Sequence, residues 1–354
     1  MSARRWLLRA TGTAAVALAG VAGWASPASA HTLGGAPPTN YRSEITSVDP
    51  SVPGLAVSLL DLGRRVQLVN RSGADVEVLG YSREPYLRVG PKGVFQNRRS
   101  PAVYLNRLVP PGSPAPRVPP TANSAAPPLW HKVADGQTAR WRDRRTRWEG
   151  SDPPAVRQRP TAVHAVVPRW TIELRGSDDI AVAGRILWVP GPPVGPWLAL
   201  AAGLFVLPLA VATSRWWAPA LSGCVAALVA VDVVHAFAGA APAGDPVALL
   251  AVKVLLGGLL LTAAWGVGAW SVSALQQRRE AGVMGAGIAG LLIAVLSGVT
   301  DAPSLSRSQV PFAFPAIVAR TAVATALGLG SGLAAAAVVV LRRLRARGAE
   351  VGAR

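Results

Sequence analysis

Hydrophobic and polar positions follow two regimes along the chain. From 41 to 189 the apolar residues come in short runs, often alternating with polar ones and cut by turn residues. From 197 to 340 they come in long blocks separated by brief charged or Pro/Gly-rich breaks. Alternation with a period of two marks strands that bury one face. Candidate strands cover 43–48, 55–59, 65–70, 76–80, 86–89, 138–141, 169–174 and 181–189. Seven or eight strands over roughly 150 residues predict an all-β domain, a β-sandwich, spanning 31–190. The Pro-rich stretch 110–128 cannot be a central strand and is expected as a surface loop. Val189-Pro190-Gly191-Pro192-Pro193 then leads into a stiff linker, 191–196.

The long blocks fall at 197–213, 218–237, 247–270, 283–299 and 315–340, each 17 to 26 residues long. An α-helix rising ~1.5 Å per residue crosses ~30 Å of hydrocarbon with that length. None carries the polar stripe of a surface helix, so an α-helical membrane domain of five transmembrane helices, 197–341, is predicted. Small residues, as in Ala-Gly-Ile-Ala-Gly at 286–290 and at Gly328, Gly330 and Gly332, would let helices approach closely. Arg215, Arg278, Arg279, Arg342, Arg343, Arg345 and Arg347 occupy one set of alternating ends. The other ends carry Asp245, Asp301 and only Arg307. The positive-inside rule places the first set in the cytoplasm, with the basic tail 342–354, and the β domain outside the plasma membrane.

Residues 1–30 read as a signal peptide: Arg4, Arg5 and Arg9, an apolar run, then Ala28-Ser29-Ala30. The arginine pair also fits a twin-arginine signal, with Sec export favoured. The net charge of +18 divides into +3 for the leader, +9 for 31–190 (22 basic against 13 acidic) and +6 for the rest. An exported basic domain excludes nucleic acid as the natural partner and points to anionic lipid or wall polymer instead. Only three of the 36 basic residues are Lys, a bias that high genomic GC content explains. The single cysteine, Cys224, rules out a disulfide within one chain.

Two places concentrate candidate chemistry. Asp232 and His235 in the second predicted span, Lys253 in the third and Arg320 in the fifth lie at one level, roughly 7 to 12 Å from the outer ends. Ionisable groups at such depth face a bundle interior or a cavity. Asp232 and His235, at i and i+3, share a helix face. Charge pairing of Asp232 with Lys253 or Arg320 is the structural reading of this cluster; a proton, metal or solute site is the functional one. The two fixed positive charges favour an anionic ligand over a cation.

The second place is in the β domain. The passages from Gly80-Tyr81 through Glu84-Pro85-Tyr86-Leu87-Arg88, from Asn97 through Ser100-Pro101 to Tyr104-Leu105-Asn106, and from Trp141 to Trp148 resemble motifs of an uncharacterised family of actinobacterial membrane proteins. That family pattern reads G-Y-x-G-E-P-Y-L-R, S-P-A-x-Y-L-N and W-H-D-H-R-x-H-W, and the resemblance implies a β-rich exported domain ahead of several helices. Arg142, Arg144 and Arg147 stand where the family pattern has histidines. A guanidinium stays protonated and cannot ligate a metal, so any metal site built there would be lost. The retained Asp143, Arg145 and tryptophans favour a structural role. Arg142, Arg144, Arg145 and Arg147 together form a candidate anion-binding strip.

Cleavage after Ala30 would leave His31 as the first residue, whose amine and imidazole suit Cu(II). Copper-resistance proteins of CopC/CopD type resemble this layout, which makes copper handling an alternative function. His131 and His164 have no spaced partners. Gly-rich phosphate loops, a G-x-S-x-G elbow, H-E-x-x-H and cysteine pairs are missing from the sequence, so no enzyme class is indicated and no cofactor beyond that copper is implied. The sequence reads as an integral membrane protein with a binding, sensing or envelope role; a small-solute transporter is the weaker rival, since no repeat is evident.

Overall fold

A computed structural model describes residues 36–107, 117–241 and 247–352. The leader and His31, and residues 110–116 of the Pro-rich stretch, lie outside them. The N-terminal part is an antiparallel sheet domain of ten strands: β1 (Tyr41–Asp49), β2 (Leu55–Leu60), β3 (Arg65–Asn70), β4 (Val76–Leu79), β5 (Pro85–Gly90), β6 (Gly93–Asn97), β7 (Trp130–Ala134), β8 (Thr138–Arg142), β9 (His164–Arg175) and β10 (Asp179–Trp188). Seven form one sheet in the order β1-β10-β9-β4-β5-β6-β7, and β2-β3-β8 form a second.

Alternation decides which faces meet. Along β3, Val66, Leu68 and Asn70 are buried while Arg65, Gln67 and Val69 are not. On its ladder partner β8, Ala139 and Trp141 point the same way. These side chains pack with Val78, Val89, Ile172, Leu174 and Ile186 of the larger sheet, so both sheets bury one shared core.

Two strands were not expected from the sequence. β6 follows β5 after the short Pro91-Lys92 turn, where Gly93 takes φ +115° and packs so close to Ala134 that a Cβ would lie 2.4 Å from its carbonyl oxygen. β7 is an edge strand with almost every residue exposed, so it shows no alternation to read.

The C-terminal part is helical: α1 (Gly195–Val211), α2 (Trp217–Ala240), α3 (Val247–Gly257), α4 (Leu259–Gln276), α5 (Glu280–Ile293), α6 (Ala316–Thr325) and α7 (Ser331–Gly352). A π-helical turn, Ala294–Val299, extends α5, and another, Ala326–Gly330, joins α6 to α7. Four of the resulting helices are long and apolar enough to cross a membrane: Trp217–Ala240, Leu259–Gln276, Glu280–Val299 and Ala316–Arg347. Gly195–Val211 and Val247–Leu256 are shorter apolar helices.

The block expected as one helix at 247–270 is not continuous. The helix breaks at Gly258 (φ −106°, ψ 42°) and resumes to Gln276, because glycine there leaves the turn without a side chain to hold it. The basic stretch from 342 is helical and continues α7 to Gly352.

Glycine sets the helix spacing. A Cβ at Gly328 would lie 2.2 Å from the Ala201 carbonyl oxygen, and one at Gly332 would lie 2.5 Å from that of Phe205. Four-residue spacing on both helices thus forms a backbone-to-backbone seam between α1 and the Ala326–α7 helix. Gly290 and Gly330 make the same close approach between α5 and that helix.

Candidate functional site

The three motif passages of the β domain meet in one buried joint. Gly80 opens a turn in which Arg83 takes φ +61° and Glu84 folds back, its Oε2 accepting from Ser82 N at 2.9 Å. A Cβ on Gly80 would lie 2.0 Å from Glu84 Oε1, so only glycine admits that carboxylate. Glu84 Oε1 accepts from Ser100 Oγ at 2.6 Å, and Asn97 Nδ2 donates to Pro85 O at 2.7 Å, which ties the first passage to the second. The Tyr81 hydroxyl bonds Asn106 Oδ1 and accepts from Arg144 N at 3.0 Å, which adds the third. Burial, reinforced by the Asp143 carboxylate, pushes the Tyr81 phenol up to about 12.

Asp143 is fully buried and grips Arg145 through two hydrogen bonds, Nε to Oδ1 at 2.9 Å and Nη2 to Oδ2 at 2.8 Å. It also takes the Trp141 indole at 3.1 Å. The guanidinium of Arg145 lies 4.9 Å over the Tyr81 ring and donates to Leu79 O. The expected anion strip is therefore corrected at Arg145, whose donors are spent inside the domain. Arg144 and Arg147 both pair with Glu149. Arg142 sits opposite Arg65 in the β3–β8 ladder.

The polar cluster in the helical part also differs from expectation. Asp232 (2% exposed) and His235 are buried on one face of α2. Asp232 Oδ2 accepts from the Trp265 indole of α4 at 2.7 Å, with the buried Ser297 of the Ala294–Val299 π turn beside it; its Oδ1 has no hydrogen-bond partner among the described residues. His235 Nε2 lies 2.8 Å from Asp301 Oδ2, its ring packs on Phe312, and its Nδ1 has no partner among the described residues. A nitrogen and a carboxylate oxygen that close require a proton between them.

Arg320 does not join this group. Its Nε donates to Ser304 O at 3.2 Å and its Nη2 to Arg307 O at 2.8 Å. Pairing with Asp232 is thus replaced by carbonyl capping of the segment after Asp301. Lys253 is half-buried on α3.

That segment, 301–309, works as a strap between the two parts of the chain. It begins at Asp301 against His235. Ser306 O lies so close to Gly191 of the linker that a Cβ there would sit 1.8 Å away. Ser308 N donates to Asn40 Oδ1 at 2.9 Å, and Thr39 and Gln309 exchange backbone hydrogen bonds at 3.0 and 2.9 Å. Asn40 in turn accepts from Val189 N at the end of β10 through its carbonyl. The entry and exit of the sheet domain and the buried histidine are held by the same nine residues.

An apolar cleft between α2 and α6, lined by Val231, Val234, Ile317 and Val318, has His235 as its one ionisable group among the described residues. Among the described residues no group of three or more His, Cys, Asp or Glu side chains could hold a metal ion. Sequence reasoning used Asp301 only for orientation and missed Trp265, since an indole among apolar residues carries no signal of what it donates to. Comparison with protein-family models, with curated proteins and with solved structures found no match.

Proposed function

We infer that the chain is a multi-pass plasma-membrane protein with five spans, delivered by its signal peptide, whose extracytoplasmic β-sandwich binds a ligand and reports occupancy to the membrane bundle. The observation that carries this reading is the strap: one short segment ends at the buried His235 on one side and at Asn40 and Thr39 on the other. Buried groups with unspent hydrogen-bonding capacity among the described residues, Asp232 Oδ1 and His235 Nδ1, lie on the same helix as the strap's inner contact. Adjacent π turns add to this, since such turns mark helices that depart from regular packing at functional positions. An anchored sensor needs no catalytic constellation. The motif resemblance to the actinobacterial membrane-protein family supports the layout, whereas copper handling depends on His31.

Energetic coupling between Asn40 and His235 tests the reading, and reporters test the orientation. A reporter fused after Arg354 should be cytoplasmic and one inserted near Ala115 exported. Both on one side would refute the five-span arrangement.

A further inference from the structure

One cluster in the β domain is not explained by its own packing. Thr146 Oγ1 donates to Gly63 O at 2.7 Å, and this clasp sets the next residues of the two segments, Arg147 and Arg64, beside each other. Arg142 and Arg65, directly opposite in the β3–β8 ladder, stand next to them. Like charges in such register repel.

The available acids do not balance them. Asp61 is taken by Arg65 at 2.5 Å, and Glu149 is shared between Arg144 and Arg147. Among the described residues five guanidiniums thus face two carboxylates, and Arg147 Nε is buried without a hydrogen-bond partner. Burial lowers the affinity of Arg64 and Arg142 for their protons. Arg147 adds to this at Arg64, and Arg64, Arg147 and Arg65 add to it at Arg142. An anion placed between these guanidiniums would relieve the repulsion.

The cleft in front of these arginines supplies the place. Arg64, Arg147, Leu62, Tyr41, Trp148 and Thr39 line it, with Glu149 its only acid among the described residues. Tyr41 and Trp148 rings lie 5.9 Å apart in its wall. Thr39 pairs with Gln309 of the strap, and the Tyr41 hydroxyl donates to Asp152 Oδ1 at 2.6 Å.

We propose that this cleft is a phosphate-binding site, in which Arg64 and Arg147 hold the phosphate oxygens of a phosphorylated ligand and Arg142 adds positive field, directly above the strap. The proposal names the ligand class for the binding domain inferred above and so rests on that reading. Guanidiniums donate to phosphate as planar forks, which suits tetrahedral oxygens better than a single carboxylate. Two sources share this chemistry: the headgroup of an anionic phospholipid and a free phosphate or phosphoester.

The test uses the full chain in a non-ionic maltoside detergent, titrated with inorganic phosphate and, separately, with dihexanoyl-phosphatidylglycerol below its micelle concentration. Calorimetry should show saturable binding that weakens with added salt. Arg64→Gln/Arg147→Gln should lose about tenfold or more in affinity. Arg157→Gln/Arg169→Gln, which removes the same charge at exposed positions, should stay within about twofold. Lipid binding about tenfold tighter than phosphate identifies the headgroup, and equal affinities identify the free group.

Without ligand, the Arg64/Arg147 double variant should melt no lower than the unaltered protein. If it melts lower, Arg142→Gln provides the same test through a smaller loss of about threefold or more. No saturable binding of either probe, or equal losses in both double variants, would overturn the proposal. Phosphate binding with the β domain found in the cytoplasm would leave this site standing and remove the extracytoplasmic reading instead.

Discussion

Gly290→Val is expected to prevent the helical bundle from closing. A Cβ at this position would lie 2.6 Å from the Gly330 carbonyl oxygen and 3.0 Å from Leu333 Cβ. The first of these obstacles is backbone, which cannot move aside as a rotamer can. The α5–α7 contact must then open along its length, and with it the packing of buried Ile293, Ala294 and Leu329. Overpacking typically costs about 1–3 kcal/mol where neighbours can yield. Here we expect about 3 kcal/mol or more, seen as loss of monodisperse protein in detergent or a large fall in melting temperature. Gly223→Ala and Gly266→Ala provide the contrast, since a Cβ at either meets nothing within 4 Å. These two should be neutral or slightly stabilising.

Asp143→Ala should do comparable damage to the sheet domain. The carboxylate is fully buried and holds two guanidinium donors of Arg145, the Trp141 indole and, through Oδ1, the backbone N–H of Arg145 at 3.0 Å. Removing it leaves Arg145 inside the domain with only the Leu79 carbonyl and the Tyr81 ring as partners. Breaking a buried ion pair from one side costs about 3–5 kcal/mol. Asp143→Ala/Arg145→Leu should recover a large part of this, because the stranded charge is gone. Thermal unfolding followed by the β signal in circular dichroism measures both. A loss under about 1 kcal/mol in the single variant would mean that solvent reaches the pair.

These two sites show what kinds of structure the sequence expresses. Strands such as β3 and β8 alternate apolar and polar residues, so their positions follow from period alone, and the blocks at 218–237, 283–299 and 315–340 each lie in one long apolar helix. β7 left no trace because an exposed edge needs no buried face. The break at Gly258 was invisible because glycine is common throughout these helices and its effect depends on which turn it occupies.

At the site, the depth of Asp232 and His235 was legible, since ionisable groups in apolar blocks stand out by type. Their partners were not. Asp301 lies in a loop between helices, and Trp265 is one aromatic residue among many; only the fold brings them to α2. Arg320 looked like a counter-charge because opposite signs at equal depth invite pairing. Rotation of α6 turns it to the strap carbonyls instead. The Arg142–Arg147 run reads as one strip, but Arg145 spends its donors on Asp143 and Leu79 while Arg144 and Arg147 turn to Glu149.

The strap makes the connection between buried cluster and sheet domain measurable. Asn40→Ala removes the Ser308 contact at its outer end, and His235→Gln alters the Asp301 contact at its inner end. Neither residue touches the other, so additivity within about 0.5 kcal/mol is the ordinary expectation for such a pair. Asn40→Ala with Ser271→Ala, a buried bundle residue without a contact to the strap, gives that reference. In a double-mutant cycle on the full chain in detergent, Asn40 and His235 should couple by about 1 kcal/mol or more while the reference pair does not. Additive behaviour of Asn40 and His235, equal to that of the reference pair, would contradict transmission through residues 301–309.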